Sequence, residues 1–177
     1  MSLTIRERRP DDLPELVEVL SAQAPSSGYP HRWPLPFPVE EFIVRPGELG
    51  AWVAVAEGSI VGHVAATDVA TNWMSATWSE VLGRPGSELG EVSILFVGLD
   101  QGGTGVGGAL LDRAVAEIRA LGREPVLDVV GEDTRAGRFY RRRGWTTVGH
   151  ARPAWLPDGQ PDVAFMVLPG RTAPDRK

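Results

Sequence analysis

The sequence predicts an α+β fold, built on a central mixed, mostly antiparallel sheet with helices on both faces. Three observations carry that prediction. Residues 51–56 and 60–67 are strand-like runs joined by Glu57-Gly58-Ser59, a hairpin signal that demands antiparallel pairing. The amphipathic stretch 105–121 lies between two apolar runs, 91–97 and 126–130, as a crossover helix between strands would. Two more strand-like runs, 145–148 and 162–168, follow a second short helix and close the chain as a pair.

Each element has a local reason. Residues 3–8 alternate apolar and polar positions and read as a first strand. Pro10-Asp11-Asp12 opens a helix whose stripe is Leu13, Leu16, Val17 and Leu20. Residues 24–38 are dense in proline and aromatics, and no regular element fits them. Residues 39–44 make one or two helical turns before Arg45-Pro46-Gly47, and 71–83 has weak helical character with Trp73, Trp78 and Leu82 as buried positions. The long helix turns Leu110, Leu111, Ala114, Val115, Ile118 and Leu121 to one side and stops at Gly122. Asp133 caps a helix running through Arg143, with Ala136, Phe139 and Tyr140 inside it and Gly144 closing it.

Composition bounds the rest. The chain has 177 residues, 42% of them hydrophobic, enough for one core over residues 1–170 with a frayed polar tail at 171–177. A net charge of −5 argues against nucleic acid as a partner. With no cysteine, thiolate metal sites, disulfides and a cysteine nucleophile are excluded. His31, His63 and His150 are far apart in sequence, so no metal site is expected. No basic segment leads into an apolar core at the N-terminus, and no apolar run approaches the ~18 residues of a membrane span. The expectation is a cytoplasmic chain with no membrane partner.

The stretch 95–111 organises the rest. Gly102, Gly103, Gly105, Gly107 and Gly108 place five residues without a Cβ in seven positions, at the start of the long helix. Such a run costs backbone entropy and helix stability. It makes sense where several backbone N–H groups must approach an anion at the positive end of a helix. Gly103-x-Gly105-x-x-Gly108 spells the dinucleotide pattern, but a nicotinamide domain needs further strand–helix units and an acid ending the next strand, whereas Asp128 lies inside that strand. No Gly-Lys-Ser/Thr follows the glycines, so this is not a P-loop.

The strand 91–97, the glycines Gly102-x-x-Gly105-x-Gly107 and the helix beginning Ala109-Leu110-Leu111 together resemble the central motif of the GNAT family of N-acetyltransferases. One departure stands out: the family's Gln/Arg position holds Gly102, and Gln101 lies one residue early. A second segment is also similar. Leu127-Asp128-Val129 followed by Asp133-x-x-Ala136-x-x-Phe139-Tyr140-x-x-x-Gly144-Trp145 matches the strand–helix–strand bordering the cofactor's other side, with Asp133 for the usual Asn and Trp145 for the usual Phe. Ile60-Val61-Gly62-His63 resembles the family's middle strands.

The resemblance implies an acyltransferase that moves an acetyl group from acetyl-CoA to a primary amine by direct attack. Leu95, Phe96 and Val97 would pair the cofactor's amide arm where their strand splays from the one beginning at Val126. Gly102, Gly103, Thr104, Gly105, Val106, Gly107 and Gly108 would hold its pyrophosphate, bordered by Asp133, Ala136, Phe139 and Arg142. Tyr140 matches the family's acid for the departing thiolate, or merely packs beside Phe139. Glu91 stands where several members carry a catalytic glutamate, or is a solvated strand-start residue. Asp133 is equally readable as a helix N-cap, and Arg141-Arg142-Arg143 as the complement of a helix C-terminus. The acceptor side falls on residues 29–37 and the Trp73/Trp78 segment, with His31, Trp33, Trp73 and His63 as candidate substrate contacts and Asp68 beside them. A small, partly apolar amine is expected there, and family analogy allows a homodimer. The competing reading is a non-catalytic acyl-CoA-binding or interaction module, motivated by Gly102.

Overall fold

The computed structural model describes residues 2–72 and 74–170; Trp73 and the tail 171–177 lie outside the described residues. Seven strands form one sheet: β1 (Leu3–Glu7), β2 (Glu48–Ala56), β3 (Ser59–Asp68), β4 (Leu89–Val97), β5 (Glu124–Val130), β6 (Thr146–Ala151) and β7 (Val163–Val167), in the spatial order β1-β2-β3-β4-β5-β7-β6. The β2–β3 hairpin turns through Glu57 and Gly58, both left-handed at φ 52° and 82°, as a two-residue turn matched to strand twist requires. All neighbouring strands pair antiparallel except β4 and β5.

Helices cover both faces. On one, α4 (Val106–Ala120) lays Val106, Leu110, Leu111, Ala114, Val115 and Ile118 against Val64, Ala66, Val92, Leu127 and Val129. On the other, α1 (Leu13–Ser27) and α2 (Val39–Ile43) pack Leu16, Leu20, Phe42 and Ile43 on Val53, Ile60, Ile94 and Phe96. Further along that face, α3 (Ser75–Leu82) seats Trp78 on Phe165, ring edge to face at 4.8 Å. The remaining helix, α5 (Arg135–Arg142), sits beside α4 with Phe139 and Tyr140 on the first core.

Three of the boundaries that differ from the sequence expectation have a visible local cause. Helix α1 continues past Ala24 to Ser27 with Pro25 inside its last turn. Side chains tie down that turn: Gln23 Nε2 donates to the Leu20 and Tyr29 carbonyls at 3.2 and 2.7 Å, and Ser27 Oγ donates to Gln23 Oε1 at 2.6 Å. Gly28, left-handed at φ 70°, then ends the helix. Helix α5 is capped by Thr134, whose Oγ1 accepts from the Gly137 N–H at 3.2 Å, so Asp133 is not the cap and the helix is shorter than expected. Strand β2 begins at Glu48, before Ala51, because a bulge at Gly50 lets the backbone pass the Trp52 ring that a Cβ there would meet at 2.5 Å.

Leu110 is fully buried between α4 and the sheet. Leu110→Ala is expected to cost about 2–5 kcal/mol, read as a lower urea midpoint at unchanged slope. A midpoint equal to that of the unaltered chain would mean that the α4 contact collapses around the gap.

Candidate functional site

The site begins where the sheet opens. Strand β4 carries a bulge between its pairings of Ser93 with Ala65 and of Phe96 with His63. Inside it, Ile94 is left-handed at φ 50°, a conformation that costs a β-branched residue on the order of 1–3 kcal/mol and needs outside support. His63 supplies that support. Its Nδ1 donates to the Ile94 carbonyl at 2.8 Å, while Nε2 lies 3.1 Å from Arg8 Nη1; Arg8 Nη2 donates to Glu48 at 2.6 Å. A carbonyl only accepts and a guanidinium only donates, so the ring is neutral with its proton on Nδ1. Burial, opposed by the carbonyl and reinforced by Arg8, lowers the His63 pKa to about 4. The expectation that His63 lines the acceptor pocket is therefore corrected: it is fully buried within the sheet, stacked on Phe96 at 5.5 Å.

Beyond the bulge β4 and β5 part. Their parallel ladder covers only Leu89–Glu91 against Glu124–Val126. From there to Val97 on one strand and Val130 on the other, the facing backbone edges are unpaired with each other. Leu95, Phe96 and Val97 lie along the open edge.

At the far end of β4, a 3₁₀ turn at Leu99–Gln101 leads into the glycines. Gly103 and Gly105 are left-handed, at φ 76° and 89°, and Gly105 caps α4. Among the described residues, the N–H groups of Gly102, Gly103, Gly105, Val106, Gly107 and Gly108 make no backbone hydrogen bond, whereas Thr104 N–H donates to the Gln101 carbonyl at 3.3 Å. A fan of free donors thus stands at the positive end of a four-turn helix. Gly62 lets that end lie close to β3, since a Cβ there would sit 2.9 Å from Leu110 Cδ1 and 3.4 Å from Val106 Cγ1 of α4. Phe139 of α5 borders the fan, 3.9 Å from where Gly107 would carry a Cβ. Ala136 and Asp133 are exposed, and the Asp133 carboxylate accepts from Arg141 at 2.9 Å. Arg143 donates to Asp112 at 2.7 Å, while Arg142 has no ion pair among the described residues.

The other end of the opening is acidic and aromatic. Glu91 is buried, one carboxylate oxygen accepting from the Asn72 side chain, whose own oxygen accepts from Met74 N–H at 2.7 Å. Asp128 lies on the same sheet face, two residues along β5 from the register partner of Glu91. Burial first, then the Asp128 charge, raises the Glu91 pKa well above the ordinary carboxyl range. Among the described residues, the buried indole N–H of Trp78 has no hydrogen-bond partner. Tyr140 is only half-buried at the surface yet deep enough that burial, then Asp128, raises its pKa, so the phenol keeps its proton at neutral pH. Its ring packs edge-on against Phe139 and Trp145 at 5.2 and 6.1 Å, so the packing and the site readings hold together.

The Asp128 charge also acts on Tyr29 and His31 of the proline-rich segment, raising the pKa of each, along with burial at Tyr29 and against burial at His31. His31 is exposed, edge-on to Tyr29 at 6.3 Å, with burial lowering its pKa; Trp33 is half-buried. Trp73 lies outside the described residues. Asp68 is held by Arg123 at 2.8 Å. Sequence reasoning gave no site role to Asp128, Asn72 or Arg45, whose charge reaches both Tyr29 and Glu91. A lone carboxylate in the apolar strand β5 was the available signal for Asp128.

Comparison with known proteins fits this geometry. The model of the acetyltransferase (GNAT) family matches residues 13–145. The chain belongs to that family. A mycothiol acetyltransferase of Propionibacterium freudenreichii is 38% identical over 88 residues, 49% of this chain but 28% of that protein. Solved GNAT-like structures share the fold. An N-acetyltransferase of Staphylococcus aureus has a TM-score of 0.71 at 20% identity, covering 95% of this chain and 98% of its own. The ribosomal-protein-S18-alanine N-acetyltransferase of Escherichia coli gives 0.68 at 17%, covering 99% of each. A Salmonella typhimurium protein solved with its cofactor acetyl-CoA gives 0.67 at 19% over the full length of both. No described helix is long and apolar enough to cross a membrane.

The His63 support is acid-sensitive. The unfolded ring titrates near 6.5, the folded one near 4, so between these pH values the unfolded state binds more protons. Its contribution is complete above pH 6.5 and falls as pH drops toward 4, by up to about 3 kcal/mol. Urea stability across that window should slope less steeply for His63→Gln than for the unaltered chain; equal slopes would assign the acid sensitivity elsewhere.

Proposed function

We propose that this chain is an N-acetyltransferase that acetylates a small-molecule primary amine by direct attack in a ternary complex. One observation carries the proposal: the unpaired edges of β4 and β5 connect the donor fan at Gly102–Gly108 to the Glu91/Asp128/Tyr140 cluster. The fit to acetyl-CoA follows from the kinds of group present. Six free N–H groups at a helix start suit a pyrophosphate, and an open strand edge suits a chain of amides.

Acetyl-CoA supplies the thioester when bound; the residues supply positions and protons. A raised pKa makes Glu91 a stronger base than an ordinary carboxylate, suited to take a proton from the acceptor ammonium directly or through water. Asp128 stands beside that position, on the same sheet face as Glu91. As the amine nitrogen bonds the acyl carbon and the carbon–sulfur bond breaks, the Tyr140 hydroxyl gives its proton to the sulfur. Tyr29, His31 and Trp33 stand over the acceptor end, and Trp73 belongs to the same proposal. The name of the 38%-identical relative supports a small acceptor over a protein. The site acts in the cytoplasm on this reading.

Release of free coenzyme A in a panel of primary amines tests the activity; tight binding of acetyl-CoA with no turnover on any amine would favour a binding module. Tyr140→Phe should lower kcat by about 10-fold or more, since positioned acid catalysis contributes ~10²–10⁴. An unchanged kcat would remove Tyr140 from the reaction. Asp128→Asn removes one of the causes that raise the Glu91 pKa, so the acid limb of kcat/KM should move to lower pH. A limb that stays in place would show that Glu91 does not set it.

A further inference from the structure

Three residues along one stripe of α5 follow the glycine loop in order. A Cβ on Gly102 would lie 3.0 Å from Arg135 Nη2, one on Gly107 3.9 Å from Phe139 Cζ, and one on Gly108 2.8 Å from Arg143 Nη1. Residues four apart share a helix face, so α5 runs beside the loop with Arg135 at its entrance.

The two arginines differ in their partners. Arg143 is neutralised by Asp112 at 2.7 Å and rests on the Gly108 carbonyl at 3.4 Å. Arg135 has neither an ion pair nor a hydrogen bond among the described residues. It is also the first residue of α5, where the helix presents its positive end and a cation is disfavoured. The fold gains nothing visible from this charge.

Gly102 explains the space it occupies. In the family motif that position carries Gln or Arg; here nothing but the Arg135 guanidinium lies within 4 Å of where a Cβ would be. A side chain at 102 and the Arg135 head group compete for one volume. Gln101 does not substitute: its Cγ packs 3.8 Å from the Cβ position of Gly98, and its side-chain oxygen is buried without a partner.

We propose that Arg135 supplies, from α5, the phosphate-binding cation that the loop lacks at position 102. The proposal rests on the coenzyme A reading above. A chain of net charge −5 and a ligand rich in phosphate repel at long range, and an unpaired guanidinium beside the N–H fan reverses that locally.

Calorimetry at low salt with coenzyme A and with 3′-dephospho-coenzyme A tests it. Arg135→Ala should weaken both ligands alike, by about ten-fold or more, without lowering Tm, because a cation leaves the positive end of a helix. Adding Gly102→Arg to Arg135→Ala should restore much of the affinity, while Gly102→Arg alone should not improve it. If Arg135→Ala binds coenzyme A as tightly as the unaltered chain, the proposal fails and the cofactor reading stands. A loss seen with coenzyme A but absent with the 3′-dephospho form would move Arg135 off the pyrophosphate and overturn the assignment to the loop. An unaltered chain that binds neither ligand would defeat both readings.

Discussion

A left-handed backbone at Ile94 is the constraint on which the open site depends. A regular β4 would continue its parallel ladder with β5, and the sheet would close. The bulge bends β4 away after Glu91, leaving two strand edges in the interior of a sheet that is otherwise paired. Such edges are a liability unless a ligand pairs them. The structure keeps the strained conformation by clamping the Ile94 carbonyl with a neutral histidine, itself held by Arg8, just after β1, and through it by Glu48 of β2. Strain near the site is thus supported from the far edge of the sheet.

The opening has opposite electrostatic ends. Toward the start of α4, backbone dipoles and unpaired guanidinium groups favour anions. Toward α3, Glu91 and Asp128 share a poorly solvated region in which two full negative charges are costly, so burial and the Asp128 charge raise the Glu91 pKa. The polarity along the open strands matches a ligand with phosphates at one end and a cationic acceptor at the other. Tyr140 stands between, with packing from Phe139 and Trp145 fixing its ring.

Residues with a local reason for their placement were legible. The left-handed turn at Glu57-Gly58, the long stripe of α4 and the glycines before it follow from backbone sterics and helix periodicity. Residues placed by long-range contact were not. His63 looked like a polar group on a middle strand because its partners, Arg8 and Ile94, are 55 and 31 residues away. Asp128 read as an interruption of β5, and only the splay gives it Glu91 as a neighbour. Asp133 and Thr134 are both competent caps by type, and the backbone turn chose Thr134.

By itself, then, the sequence determined which segments are helix or strand, the α+β class, the family and the loop that offers N–H groups to an anion. These depend on interactions within a few residues or on a spacing preserved along the chain. Tertiary structure alone decided that β4 and β5 part after three pairs, that Glu91 is buried beside Asp128, and that the space left by Gly102 is filled from α5. Each depends on the distance between groups far apart in sequence, and burial and charge act through that distance. The five glycines announced a binding loop; the packing around them shows which side chains stand beside it.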